Sequence, residues 1–296
     1  MQFPDYPFKS NFLSVKGHRM HYLDEGDPAA APVVMVHGNP TWSFFFRRPL
    51  LALRDTCRCV APDHIGMGLS DKPGATDYGY RLNDRIDDLE ALLQELGIRE
   101  RITLLLHDWG GMIGMGYACR HPERIKALVI LNTAAFPLPR QARLPWQLRL
   151  ARSALGAPLV QGLNAFCRGA LEHCSVRGPL DADVRRAYLA PYDNWHQRLG
   201  VLRFVQDIPL APDHPSYALV QRIDQDSRVF QQTPMLICWG MRDFVFTPAF
   251  LQAWRERFPQ AQVHAYDNAG HYLLEDAADE VIASIQRFLQ QQCNMP

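Results

Sequence analysis

No stretch of this 296-residue sequence is apolar for long enough to cross a bilayer. Its longest runs, ITLLL and LVILN, fall far short of the roughly 20 residues that a spanning helix needs. The first residues, MQFPDYPFKSNF, have no basic start followed by an apolar run, so no secretory signal is expected. Charge of one sign is not in excess either. Lys+Arg and Asp+Glu number 31 each, which leaves no global field to attract nucleic acid. The seven cysteines contain no pair with zinc-site spacing, so buried thiols in a reducing cytoplasm are expected. His18 and His21 sit on a strand-like segment with nothing nearby to complete a metal site, and read as surface or packing residues. No cofactor is called for, and there is no internal repeat or low-complexity segment.

What is present is alternation. FLSVKG and HRMHYLDEG read as a pair of strands, and PVVMVHG (32–38) as a strand buried on both faces. The same form recurs in CRCVAPD (57–63), RITLLLHD (101–108), IKALVILN (125–132), TPMLICWG (233–240) and AQVHAYDN (261–268). Between them lie amphipathic helices. NDRIDDLEALLQELG (83–97) carries Ile86, Leu89, Leu92, Leu93 and Leu96 on one face, with an Asn start and a Gly stop, and 278–291 forms another. Strands alternating with helices imply an α/β fold, a mostly parallel sheet with helices on both faces. The alternation breaks between about 134 and 229, which reads as a helical insertion. The expected organisation is a core over 1–133 and 230–296 with a cap over 134–229. Within 134–178, six arginines face one acidic residue, Glu172. That is either a solvated helical face or an apolar, basic surface for a partner or membrane.

The segment HDWGG (107–111) carries the chemistry. A strand runs into Asp108, and Gly110 and Gly111 follow before a helical stretch. So tight a reversal strains the apex residue, and bulk just after it would collide with neighbouring elements. One side chain is thereby held above the sheet edge at a helix start, where backbone N–H groups favour negative charge. This is the nucleophile elbow of the α/β-hydrolase fold, with Leu106 in place of the first glycine and Asp108 in place of serine. The alternative is an aspartate capping an ordinary helix.

Two further segments favour the elbow. VHGNPT (36–41) follows an earlier buried strand and reads as an oxyanion loop, the Asn39 backbone N–H pairing with that of Trp109. DNAGHYLLED (267–276) offers His271 after the last strand. The acid of such a triad follows one of two strands. Residues 132–140, after KALVILN, contain no carboxylate, so WGMRDF supplies it as Asp243. Asp243 would orient the imidazole, or else merely cap a helix beginning near Thr247. A non-enzymatic binding module would require a broken triad, and this one is complete. A carboxylate is ionised near neutral pH without a base, so Asp108 suits direct displacement at a strained or activated carbon, forming an ester.

HGNPTWSFFFR, PDHIGMGLSDKP, HDWGG, WGMRD and GHYLLED together resemble haloalkane dehalogenases, over essentially the whole chain. That resemblance implies an Asp108 nucleophile, a His271 base and an Asp243 acid, with Asn39 and Trp109 holding the departing group. It also gives PDHIGMGLSDKP a structural role near the site. A closer resemblance, carried by HDWGGMIGMGYA and YLAPYDNWHQRLGVLRFVQDIPL (188–210), is to the β-lactone decarboxylases of bacterial long-chain olefin biosynthesis. These lyases convert cis-3-alkyl-4-alkyloxetan-2-ones to cis-alkenes and carbon dioxide. The resemblance implies a cap lining a tunnel for two alkyl chains and assembly with other olefin-biosynthesis enzymes. The basic stretch RQARLPWQLRLAR (140–152), with Arg143 and Arg149, is the candidate docking surface for such a partner or for a membrane. Dehalogenase and epoxide hydrolase stand as alternatives. The epoxide reading needs two cap tyrosines, for which Tyr188, Tyr192 and Tyr217 are candidates.

Overall fold

Segments of five to nine residues, nearly continuous apolar runs at the centre, form the strands of one eight-stranded sheet. A computed structural model describes residues 3–293. The strands are β1 (Asn11–Val15), β2 (His18–Glu25), β3 (Pro32–Val36), β4 (Arg58–Pro62), β5 (Ile102–Asp108), β6 (Ile125–Thr133), β7 (Met235–Gly240) and β8 (Gln262–Tyr266). Their order is β1-β2-β4-β3-β5-β6-β7-β8. The β1–β2 and β2–β4 pairs are antiparallel and the rest are parallel.

Successive side chains along a strand point to opposite faces, so each central strand feeds two cores. Val34, Val36, Leu104, Leu106, Leu128 and Ile130 face α2 (Leu82–Glu95) and α3 (Trp109–Arg120). Val33, Met35, Leu105, Val129 and Leu131 face α1 (Arg47–Leu53) and α10 (Ala278–Cys293). β8 departs from the expected doubly buried strand: it forms the sheet edge, and most of its residues are exposed. α2 also begins earlier than Asn83. Arg81 is its extended N-cap and donates its backbone N–H to Asp84 Oδ2 at 3.0 Å, while Gly97 (φ +68°) lies just beyond its end.

His21 is not a surface residue. It is fully buried, with Nδ1 2.8 Å from Asp63 Oδ2. Asp63 also accepts the backbone N–H groups of Ser43 (2.6 Å) and Leu69 (2.8 Å), and so ties the 63–70 loop to the sheet.

Between β6 and β7 lie α4 (Trp146–Arg152), α5 (Ala165–His173), α6 (Ala182–Leu189), α7 (Leu199–Gln206) and α8 (Tyr217–Asp226). Buried Arg198 organises the middle of this segment by donating to the carbonyls of Tyr192 (2.7 Å), Gln161 (2.5 Å) and Asp193 (2.7 Å). α8 sits on the sheet layer. Its Ile223 carbonyl accepts from Cys119 Sγ of α3 at 3.7 Å, and its Asp224 pairs with Arg257 of α9 (Pro248–Arg257) at 2.6 Å. Among the described residues, no helix is long and apolar enough to cross a membrane, and no cluster of His, Cys, Asp or Glu could hold a metal ion.

Candidate active site

The C-terminal ends of β3, β5, β7 and β8 deliver Asn39, Asp108, Asp243 and His271 to one place, where ligands of open α/β sheets bind. β5 passes into α3 with no intervening loop, and Asp108 absorbs the reversal at φ +52°, ψ −126°. Few non-glycine residues adopt that conformation, and holding one there costs on the order of 1–3 kcal/mol.

The glycines permit the turn sterically. A Cβ at Gly110 would collide with the carbonyl oxygen of Val36, and one at Gly111 with the Thr133 hydroxyl and the Ala134 carbonyl. Leu106 can replace the usual first glycine because Gly114, one turn along α3, makes room for its side chain. Gly110→Ala would meet backbone atoms that cannot swing away. We expect it to lose about 3 kcal/mol of stability, read as a lowered unfolding midpoint in urea; an unchanged midpoint would show that α3 can shift.

The carboxylate is held asymmetrically. Asp108 Oδ1 accepts the Asn39 backbone N–H at 2.6 Å, and the Trp109 backbone N–H also supports the anion. Oδ2 lies 3.7 Å from His271 Nε2. On its other side, His271 Nδ1 is 2.8 Å from Asp243 Oδ2, so that nitrogen carries a proton donated to the acid. Asp243 is not a helix cap, since α9 starts after Thr247. Its Oδ1 accepts the N–H groups of Val245 (2.7 Å) and Phe246 (3.0 Å), and its Oδ2 accepts from Asn132 Nδ2 (3.0 Å).

Two contributors were not anticipated. Asn132, next to last in β6 at φ +31°, bridges to β7, accepting Gly240 N–H at 2.7 Å while donating to Asp243. It stands where a β6 acid would stand; the terminal Asn of KALVILN was the available signal. His107 is the other. It is fully buried, stacks on Phe45, and its Nε2 bonds the His271 carbonyl at 2.9 Å, anchoring that loop. Burial holds its pKa well below the usual histidine value, so it is the neutral donor.

Burial is the largest influence on Asp108 and raises its carboxyl pKa above the ordinary 3.8, against the pull of His271 and the two N–H groups. Burial acts on His271 in the opposite sense, but Asp243 and then Asp108 outweigh it, and its pKa rises above 6.5. The two carboxylates flanking the imidazole thus both favour its protonated form. A raised carboxyl pKa means that Asp108 takes up its proton earlier as pH falls. The acid limb of kcat/KM should accordingly lie above pH 3.8; a limb at or below that value would contradict a buried nucleophile.

An apolar cavity of about 360 Å³ ends on Asp108, Trp109, Asn39 and His271. Much of its wall comes from the inserted segment, including Phe136, Leu148, Val160, Phe166 and Val205. Trp109 packs on Phe204, and among the described residues nothing accepts a hydrogen bond from its indole N–H. The Asn39 amide donates to the Val201 carbonyl of α7 at 3.1 Å, so this side chain is tethered to the inserted segment as well as facing the cavity. Tyr188, Tyr192 and Tyr217 do not line the cavity. Tyr188 bonds Glu275, which is itself paired with Arg47, and the Tyr192 hydroxyl accepts Gly68 N–H. The paired tyrosines that an epoxide-opening site requires are absent from this cavity.

The chain matches the alpha/beta hydrolase fold family over residues 31–278. It is 55% identical over 284 residues to the cis-3-alkyl-4-alkyloxetan-2-one decarboxylase of Shewanella oneidensis, covering 96% of this chain and 89% of that one. It is 48% identical over 297 residues to the enzyme of the same name from Xanthomonas campestris, covering 98% and 99%. Among solved structures, a haloalkane dehalogenase from Bradyrhizobium elkani superposes with a TM-score of 0.84 at 26% identity, covering 96% of this chain and 98% of that one. The elbow, the asymmetric carboxylate and these relatives agree: the chain belongs to the α/β-hydrolase fold family, and within it to the family of the cis-3-alkyl-4-alkyloxetan-2-one decarboxylases.

Proposed function

We propose that the chain is a β-lactone decarboxylase, a carbon–carbon lyase acting in the cytoplasm, that converts cis-3-alkyl-4-alkyloxetan-2-ones to cis-alkenes and carbon dioxide in long-chain olefin formation. The observation that carries this reading is near full-length identity of 55% and 48% to two decarboxylases of that name. The apolar cavity ending on a carboxylate is what such a substrate requires: two alkyl chains in the wall region and the strained ring at Asp108.

The residues suggest a route. Oδ1 is committed to the Asn39 backbone N–H, which favours Oδ2 for the attack. Attack at ring carbon C4 forms an ester to Asp108, breaks the C4–O bond and leaves a carboxylate on C3. The C2–C3 electron pair then forms the C3=C4 bond as carbon dioxide departs and Asp108 leaves C4, restored. Neither water nor a net proton is consumed. Inversion at C4 followed by anti departure turns a cis lactone into a cis alkene, the stated stereochemistry. Attack at the carbonyl instead gives a mixed anhydride with Asp108 and an alkoxide on C4. His271 must protonate that alkoxide so that it leaves as hydroxide, which returns to the Asp108 acyl carbon as C2 departs with the anhydride oxygen as carbon dioxide, and the proton goes back to His271. The Trp109 indole N–H and the second N–H of the Asn39 amide, both from residues that line the cavity, would hold the oxygen that gains charge. His271, held by Asp243, offsets the charge of Asp108. Within 134–229, the part that walls the cavity serves as the cap, excluding water that would hydrolyse the ester, while α8 packs on the sheet layer.

The test is a pair of incubations, one with a cis-dialkyl β-lactone and one with a bromoalkane. Cis-alkene from the first and no bromide from the second is the expected result. Bromide release without alkene would overturn the reading in favour of a dehalogenase.

A further inference from the structure

The cavity opens through a rim that is both apolar and cationic. Leu138 (40% exposed), Trp146 (63%), Leu150 (36%) and Leu210 (40%) are part of the cavity wall yet face solvent. α4 accounts for the pattern: Leu148 and Ala151 are buried, which turns Trp146, Arg149 and Leu150, spaced three and four residues apart, outward on one face. Arg152 fixes this helix to the end of α7 by donating to the carbonyls of Val205 (2.7 Å) and Gln206 (3.0 Å), which brings Leu210 to the same rim. Arg140, Arg143 and Arg149 are exposed, and among the described residues none of them has a carboxylate partner. The single acid of this stretch, Glu172, is already paired with Arg185. With 31 cationic and 31 acidic residues overall, the positive charge here is a local feature of the cavity mouth.

We infer that this rim docks on the surface of an anionic phospholipid bilayer. Unpaired arginines attract acidic headgroups, and an exposed tryptophan flanked by leucines seats at the level where headgroup meets acyl chain. The apolar rim residues and Arg143 are also the cavity wall, so a bilayer seated on them opens the cavity to the acyl phase. A protein seated flat on the same residues would stopper it. A double-chained lactone could then reach Asp108 without crossing water; for that passenger, the inference rests on the function proposed above.

The experiment is co-sedimentation with vesicles of phosphatidylcholine alone or mixed with phosphatidylglycerol. The wild-type chain should bind the mixed vesicles, and added salt should release it. Arg140→Gln with Arg149→Gln, neither of which lines the cavity, should weaken that binding on the order of 25-fold. The same double variant should retain wild-type turnover of a short, water-dispersed lactone. Trp146→Gln should weaken binding further. No binding to either vesicle, which would make the rim a protein contact, overturns the inference, as does equal binding to both or binding indifferent to the two arginines. Vesicle binding is read without substrate, so its failure is distinguishable from a failure to make alkene.

Discussion

Asp108→Asn is expected to abolish alkene formation, by on the order of 10⁴-fold or more, while leaving the fold at least as stable. The amide keeps an oxygen for the Asn39 N–H, which the wild-type carboxylate accepts at 2.6 Å, so the elbow has no reason to move. What it loses is the anion that attacks. It also loses a charge that burial disfavours, the dominant influence on this carboxyl group. Removing a desolvated charge from a site strained at φ +52° should raise the melting temperature by about 2 °C for each kcal/mol regained. Differential scanning calorimetry beside the alkene assay checks both halves. Surviving activity would remove Asp108 from the chemistry, and a melting temperature several degrees lower would mean that the charge holds the site together. Asp108→Ser should be equally inactive for another reason. Its hydroxyl must first be deprotonated by His271, and attack at C4 would then give an ether with no route back.

That asymmetry between an aspartate and a serine elbow was legible in the sequence because it is local. A buried strand, Asp108, Gly110 and Gly111 are contiguous, and the steric demand of the turn is met within five residues and their immediate neighbours. The strands of the parallel core were legible for a similar reason, since a strand buried on both faces must be apolar throughout. What was not legible depends on partners distant along the chain. β8 is the exception: it sits at the sheet edge, and Gln262 and His264 within its five residues already depart from the apolar runs of the central strands. The start of α2 is set partly by Asp207, whose Oδ2 accepts the Leu82 N–H at 2.7 Å from 125 residues away. Arg198 reads as one more charged residue and instead lies buried among carbonyls of its own segment. Asn132 reads as the end of a strand, and only the neighbouring turn after β7 gives it a function.

Asp243 is where these long-range contacts converge, and its replacement is the second large effect. Asp243→Ala should cost about 4 kcal/mol of stability and the activity with it. Four donors lose their acceptor together: the N–H groups of Val245 and Phe246, Asn132 Nδ2 and His271 Nδ1, at 2.7, 3.0, 3.0 and 2.8 Å. Each buried donor left unmet costs about 1–3 kcal/mol, and partial relaxation keeps the sum below full additivity. Asp243→Asn is the more informative variant. It retains an oxygen for the backbone donors, so the fold should hold, but it withdraws the charge that does most to raise the His271 pKa, so that pKa should fall. If decarboxylation proceeds by attack at C4, no proton has to move. The alkene rate should then fall only by about 100-fold, the electrostatic loss of an imidazolium beside Asp108. A reaction that needs His271 to deliver or remove a proton should fall on the order of 10⁴-fold, as when a triad loses its orienting acid. Single-turnover alkene formation by the folded Asp243→Asn variant therefore separates the two routes. The larger loss would place the first attack at the lactone carbonyl, with His271 protonating the alkoxide; the smaller loss would leave His271 as a fixed counter-charge, in an elbow built on a nucleophile that needs no base.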